Sequence, residues 1–274
     1  MPLSATECLC RYILQTSNAV GALMNLTAEA AVAVDFMLEG EVPIAKLLEL
    51  MPTARDVRLG EDSKDRGHAI ECHAAGCLAN LCHGLADLDG RGEKGREMLV
   101  ATAIGVKTIV ETLEASEDEN QSTACCVALM NACHMNLAAR EQLLECSGVG
   151  AIVTCLASEN VDLKAAAAGA LLNCSATAGC AEAIREAAAS VGGGEVGGFE
   201  LLLRLLAADQ PLLRARAAGA LFNSAAFGPD TRLAMLEGGI LNGISAALHD
   251  NLGLPKGCPT ELGYRIQVIA IECH

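Results

Sequence analysis

Asparagine stands at positions 25, 80, 131, 173 and 223, each time inside a run whose other residues favour a helix. It is a poor helix former, because its amide competes with the backbone for hydrogen bonds, so its return in one context argues for a task. An amide side chain brings one acceptor oxygen and two N–H donors on a short stem. The second chemically suggestive group is Cys72, His73, Cys77, Cys82 and His83. Steps of five along a helix turn about 140°, so the three cysteines point to different sides. His73 and Cys77 share a face, which makes two ligands where structural zinc takes four. No metal site and no cofactor are expected. The rival reading is a redox switch at one exposed thiol, whose reactivity depends on a local pKa.

Catalytic patterns are missing from the chain. The glycines at 148–150 and 192–198 follow no strand and lack the Gly-Lys-Ser/Thr ending of a phosphate loop. No HExxH, GxSxG or paired-carboxylate motif is present. A binding protein is therefore expected rather than an enzyme.

The elements that carry the asparagines are near copies of one another. Residues 165–175 read AAAAGALLNCS and residues 215–225 read ARAAGALFNSA. Looser copies are NAVGALMNLT at 18–27, CHAAGCLANLCH at 72–83 and TACCVALMNACH at 123–134. Ala165, Ala168, Gly169 and Leu172 recur at spacings of three and four, the stripe of a helix with one buried face. Glycine four residues before the asparagine, at Gly21, Gly76, Gly169 and Gly219, costs about 1 kcal/mol against alanine and is tolerated where another helix comes close. Val127 takes its place in the fifth copy.

The repeat has a length. From a hinge glycine to the next asparagine is 26 residues for Gly105 to Asn131 and 25 for Gly148 to Asn173 and for Gly198 to Asn223. From asparagine to hinge is 15 for Asn25 to Gly40, 17 for Asn131 to Gly148 and 16 for Asn223 to Gly239, a period of 41 to 42. Longer intervals coincide with charged or glycine-rich stretches at 52–67, 84–95 and 190–198, read as inserted loops. Helices are expected over 4–27, 28–39, 42–51, 68–83, 96–104, 106–115, from about 117 to Asn131, 137–146, 151–157, 230–237 and 240–249, with a last one after Pro259. Period overrides domain size, so residues 1–274 read as a single array. It begins mid-repeat and stops without a polar cap, so it is expected to be a fragment or to have its ends covered by a partner.

Composition agrees with close helix packing. Hydrophobic residues make up 52% and aromatics only 2%, with no Trp, so the core must be Ala, Leu, Ile, Val and Cys. Strand-type alternation is not visible. The net charge of −15 is uneven, −12 over residues 1–160 and −3 over the rest. Such acidity disfavours nucleic acid, whose phosphates call for Lys and Arg, and favours a basic protein or peptide segment. Neither a secretory signal nor a membrane span is expected, since Glu7 and Arg11 interrupt the first apolar run and Asn173 interrupts the most apolar window. The expected location is the cytoplasm, with the nucleus as an alternative, and the fourteen cysteines are expected to be reduced.

The AAGAL-x-N pattern with its glycine hinge resembles the third helix of the armadillo repeat. The resemblance covers essentially the whole chain, as about four full and two partial repeats. It implies an all-α, right-handed α-α superhelix whose third helices line a concave groove, and a scaffold or adaptor that binds an extended or helical segment of a partner. Carried over, Asn25, Asn80, Asn131, Asn173 and Asn223 would hydrogen-bond a peptide main chain; the competing reading is that they bridge neighbouring repeats. Nuclear-import adaptors carry tryptophan four residues before the asparagine, where this chain has glycine or valine, so the pattern is closer to the catenin-like and vacuolar-scaffold-like groups. Alternatives are a regulatory armadillo segment of a larger enzyme or trafficking protein, and a cysteine-based redox or metal protein.

Overall fold

The computed structural model describes residues 5–29, 38, 43–56, 61–83, 90–102 and 104–241. The expected helix over 28–39, the 84–89 part of the second insertion and the helix after Pro259 lie outside these residues, wholly or for the most part. Among the described residues are thirteen helices and one two-stranded hairpin. None of the helices is long and apolar enough to cross a membrane.

The first compact unit, Met1–Cys146, contains α1 (Ala5–Glu29), α2 (Pro43–Asp56), α3 (Glu61–Leu81), α4 (Arg91–Ala101), α5 (Gly105–Glu114), α6 (Glu119–Ala132) and α7 (Leu137–Glu145). Its third-helix positions are α1, α3 and α6, and α3 packs against both of the others. The second unit, Ser147–His274, contains α8 (Gly148–Cys155), α9 (Val161–Cys174), α10 (Ala178–Glu186), β1 (Ala188–Val191), β2 (Gly194–Gly197), α11 (Gly198–Leu205), α12 (Pro211–Ala225) and α13 (Pro229–Glu237). Here α9 and α12 are the third helices, packed on each other.

Helix starts follow side-chain chemistry. Asp118 accepts from Gln121 N at 2.8 Å and Asn136 from Ala139 N at 3.0 Å. Asn160 accepts from both Asp162 N and Leu163 N, so each cap satisfies amides that the helix cannot. Helix ends are closed by arginines. Arg96 Nη1 donates to Cys82 O at 3.1 Å, Arg140 Nε to Cys133 O at 3.0 Å and Arg232 Nη1 to Ala225 O at 2.9 Å. Each acceptor lies two residues after a repeat asparagine, so a first helix caps the carbonyl end of the third helix before it.

Two insertions are structured where loops were expected. Most of 52–67 is helical: α2 continues through Pro52 to Asp56 and α3 begins at Glu61. Periodicity fails there as a guide because Glu, Lys and Arg propagate a turn without an apolar stripe, and acids suit the positive helix end. The 84–95 insertion also ends early, with α4 starting at Arg91. Residues 190–198 complete a hairpin in which Val191 pairs with Gly194 across Gly192 and Gly193. Those glycines have φ of 60° and 87°, the left-handed pair that a two-residue hairpin turn requires. Ala189 and Val196 pair across the strands and are both buried.

The hinge glycines serve close approach. Gly105, Gly148 and Gly198 are the first residues of α5, α8 and α11. A Cβ on Gly105 would strike Leu99 O, and one on Gly198 would strike Ile184 O, both inside any real contact. Gly21 and Gly76 answer one another across α1 and α3: the His73 ring lies 2.9 Å from a Cβ at 21, and Met24 Sδ lies 2.5 Å from one at 76. Cysteine fills the same dense interior. Cys77, Cys82, Cys125, Cys126, Cys133, Cys174 and Cys180 are buried; burial pushes the Cys77 and Cys82 thiols up to about 12.

A buried polar set joins α3 to α6. Gln121 Nε2 donates to Glu71 Oε2 at 2.9 Å, and Gln121 Oε1 accepts from His68 Nδ1 at 2.8 Å. Glu71 and Gln121 are 2% and 1% exposed, so the buried carboxyl group has the Gln121 amide as a hydrogen-bond donor.

Three outcomes are expected. Gly105→Ala should lower stability in chemical denaturation by about 1–3 kcal/mol through overpacking against backbone. Gly150→Ala, whose added methyl meets nothing within 4 Å inside α8, should be neutral or stabilising by up to about 1 kcal/mol. In alkylation at pH 8 read by mass spectrometry, Cys77 and Cys82 should stay unmodified in the native protein and react on unfolding, because a thiol titrating near 12 holds only about one thiolate in ten thousand.

Candidate functional site on the third helices

The asparagines fall in the last turn of their helices, apart from Asn25, which precedes the end of α1 by four residues. That turn is where backbone carbonyls run out of helical partners. Asn131 Nδ2 donates to Ala79 O at 2.8 Å, and Asn223 Nδ2 to Leu172 O at 2.9 Å. Asn80 Nδ2 donates to Met24 O at 3.0 Å and to Thr27 Oγ1 at 3.2 Å. Met24, Ala79 and Leu172 are the residues immediately before Asn25, Asn80 and Asn173. One register therefore repeats: the amide of one third helix binds the carbonyl beside the asparagine of the helix before it.

The acceptors identify the amide orientation, since only the nitrogen can face a carbonyl oxygen. They also show the need being met. Backbone donors near the end of α3 go to Leu78 O and Asn80 O, and Asn131 supplies Ala79 O. At α9, Leu172 O receives Ser175 Oγ at 3.0 Å as well as Asn223. This bridging leaves Oδ1, on the other side of each carboxamide, as the acceptor for a further donor. Asn131 and Asn223 keep a second N–H, whereas Asn80 has used both.

In the first unit Asn25, Asn80 and Asn131 ride on successive packed helices, and in the second Asn173 and Asn223 do so. Asn25 is exposed, Asn80, Asn173 and Asn223 are half-buried, and Asn131 is buried. Met24, Met130, Leu172 and Phe222, each one residue before an asparagine, are half-buried and put an apolar surface beside it. His83 and His134, three residues after, are half-buried too.

Sequence reading did not single out Arg216. It stands seven residues before Asn223, two turns away on the same face of α12, and its Nη1 donates to Ala165 O of α9 at 2.5 Å. Ala165 in turn stands seven residues before Leu172, so Arg216 and Asn223 hold α9 at two matching points. Burial lowers the Arg216 pKa from the ordinary arginine value. The sequence signal for it was a cation inside an AAGAL copy that otherwise carries alanine.

The cysteine and histidine group does not assemble a metal centre. Cys77 Sγ lies 3.7 Å from Val20 O as its donor, and the His73 ring covers Gly21. Among the described residues, no three of His, Cys, Asp or Glu are placed to hold an ion.

No protein-family model matches the chain, and no curated protein sequence does. Solved structures do match. An engineered protein superimposes with a TM-score of 0.72 at 21% identity, over 94% of this chain and 89% of its own. A designed armadillo repeat protein gives 0.70 at 16% identity, over 94% and 93% of the two chains. A second designed armadillo repeat protein, in complex with the peptide (KR)4, gives 0.65 at 16% identity, over 96% and 98%. At these identities the likeness is one of fold: the chain has an all-α, armadillo-like repeat fold.

Proposed function

We propose that the chain is a protein-binding scaffold or adaptor, whose third-helix face takes up an extended or helical segment of another protein. The observation that carries this is the repeated amide register. With Nδ2 held by the preceding helix, Asn80, Asn131 and Asn223 each offer Oδ1 at a set position, where a peptide N–H can donate to it, and Asn25 and Asn173 stand at the same place in their repeats. Main-chain capture of this kind gives affinity without demanding a sequence. The apolar residues beside the asparagines would take side chains of the bound segment. The designed armadillo repeat protein in complex with (KR)4 supports the reading.

Finer features of the proposal follow from the sequence. The charge of −12 over residues 1–160 favours a segment with basic residues opposite that part. Residues 1–274 would act as one array of the glycine-bearing, catenin-like or vacuolar-scaffold-like type, working in the cytoplasm and open to the nucleus. Its role would be binding and not catalysis.

Asn25 separates binding from bridging, because it is exposed and among the described residues its amide makes no hydrogen bond to another third helix. Peptides of about 12 residues, selected from a random display library against the folded chain, would be titrated by fluorescence anisotropy. Asn25→Ala should weaken them about 5-fold, the worth of one hydrogen bond, with unchanged denaturation. Asn131→Ala should cost about 1–3 kcal/mol of stability, since it strands Ala79 O. If Asn25→Ala leaves every selected peptide unaffected, the asparagine row is structural and the proposed binding face is wrong.

A further inference from the structure

Among the described residues, six arginines besides Arg216 make side-chain bonds of two kinds. Arg96, Arg140 and Arg232 cap the ends of third helices, and Arg214 Nη1 donates to Ala208 O and Asp209 O beside the start of its own helix. Arg185 and Arg204 pair with acids, Arg185 with Glu182 and Glu186 and Arg204 with Glu200. Lys164 of α9, next to the Arg216 acceptor, has Glu159 at 3.9 Å. Arg216 belongs to neither group: it lies midway along α12 and its guanidinium meets a single backbone carbonyl. Among the described residues no carboxylate forms an ion pair with it, and burial is what perturbs it.

A guanidinium has five N–H donors in a planar fork suited to a carboxylate. Here one is committed to Ala165 O, which orients the fork, and the side chain is only half-buried. A partly desolvated cation with no counter-charge among the described residues is costly to keep and strengthens any charge-assisted bond made to it. Seven residues of helix put Arg216 about 10.5 Å from Asn223 along α12, a gap that an arginine stem and a glutamate side chain can span from opposite sides.

We propose that Arg216 is a specificity residue of the third-helix face, recognising an aspartate or glutamate side chain of the bound segment beside the main chain held at Asn223. The inference rests on the proposed function and adds a rule to it. Basic residues are accepted opposite the acidic first part of the chain, whereas an acidic residue is required at α12.

The test uses the full chain and the display-selected peptides of about 12 residues. Peptides selected by the wild-type chain should share an Asp or Glu at one position. Replacing that residue by its amide should weaken binding about 10-fold on the wild-type chain and less than 2-fold on Arg216→Gln, whose amide retains a donor for Ala165 O. Arg216→Glu should instead select Lys or Arg there. Circular dichroism and denaturation check that the variants fold, and if Arg216→Glu does not, the Arg216→Gln cycle decides. Peptides that depend on Asn25 but share no acidic position, or that lose equal affinity on both chains, overturn the role of Arg216 and leave the binding face standing. An absence of any selected peptide overturns both.

Discussion

The side-chain amide of a repeat asparagine, bonded to the carbonyl beside the asparagine one repeat earlier, is the contact on which the third-helix layers depend. A helix leaves carbonyls unpaired at its C-terminal end, and one buried without a donor costs about as much as a lost hydrogen bond. Stacking third helices side by side buries such groups, and the asparagines supply what the backbone cannot. The separations between donor and acceptor are 56 residues for Asn80, 52 for Asn131 and 51 for Asn223. The contact keeps its register while the intervening chain changes length, so insertions are absorbed elsewhere in the repeat.

That bond has a reach of about 3 Å, and so requires helices to lie close. Glycine and alanine in the AAGAL copies provide the room, and what enters it is a side chain of the neighbouring repeat, His73 over Gly21 and Met24 over Gly76. Leu99 O and Ile184 O occupy the room left by Gly105 and Gly198 in the same way. With so few aromatics, dense packing of small residues has to supply the apolar burial that larger side chains give other cores. The arginine caps then neutralise the carbonyl ends that this crowding brings together.

A binding face built on such contacts is ordered before any ligand arrives. Each bridged asparagine has lost its rotamer freedom to the fold, so a bound segment would not have to immobilise it again. Arg216 shares that property, being held at Ala165 O beside a neighbouring third helix. At 80, 131 and 223 the side chains that join repeats are thus the ones that would read a partner, which accounts for a helix-disfavouring amide at those positions.

All-helical class, the recurring unit and the positions of the asparagines were legible in the sequence, because period and propensity are local properties. The hinge glycines were also legible as positions, although their reason was not: close approach to Leu99 O and Ile184 O involves atoms that only the folded chain brings near. Helix at 61–66 and the hairpin across Gly192 and Gly193 escaped a reading based on apolar period, although the Gly-Gly pair was itself a turn signal. Which way the amides of Asn80, Asn131 and Asn223 face was decided by tertiary structure alone. Each partner lies more than fifty residues away, and no local pattern specifies a contact made by the stacking of one repeat on another.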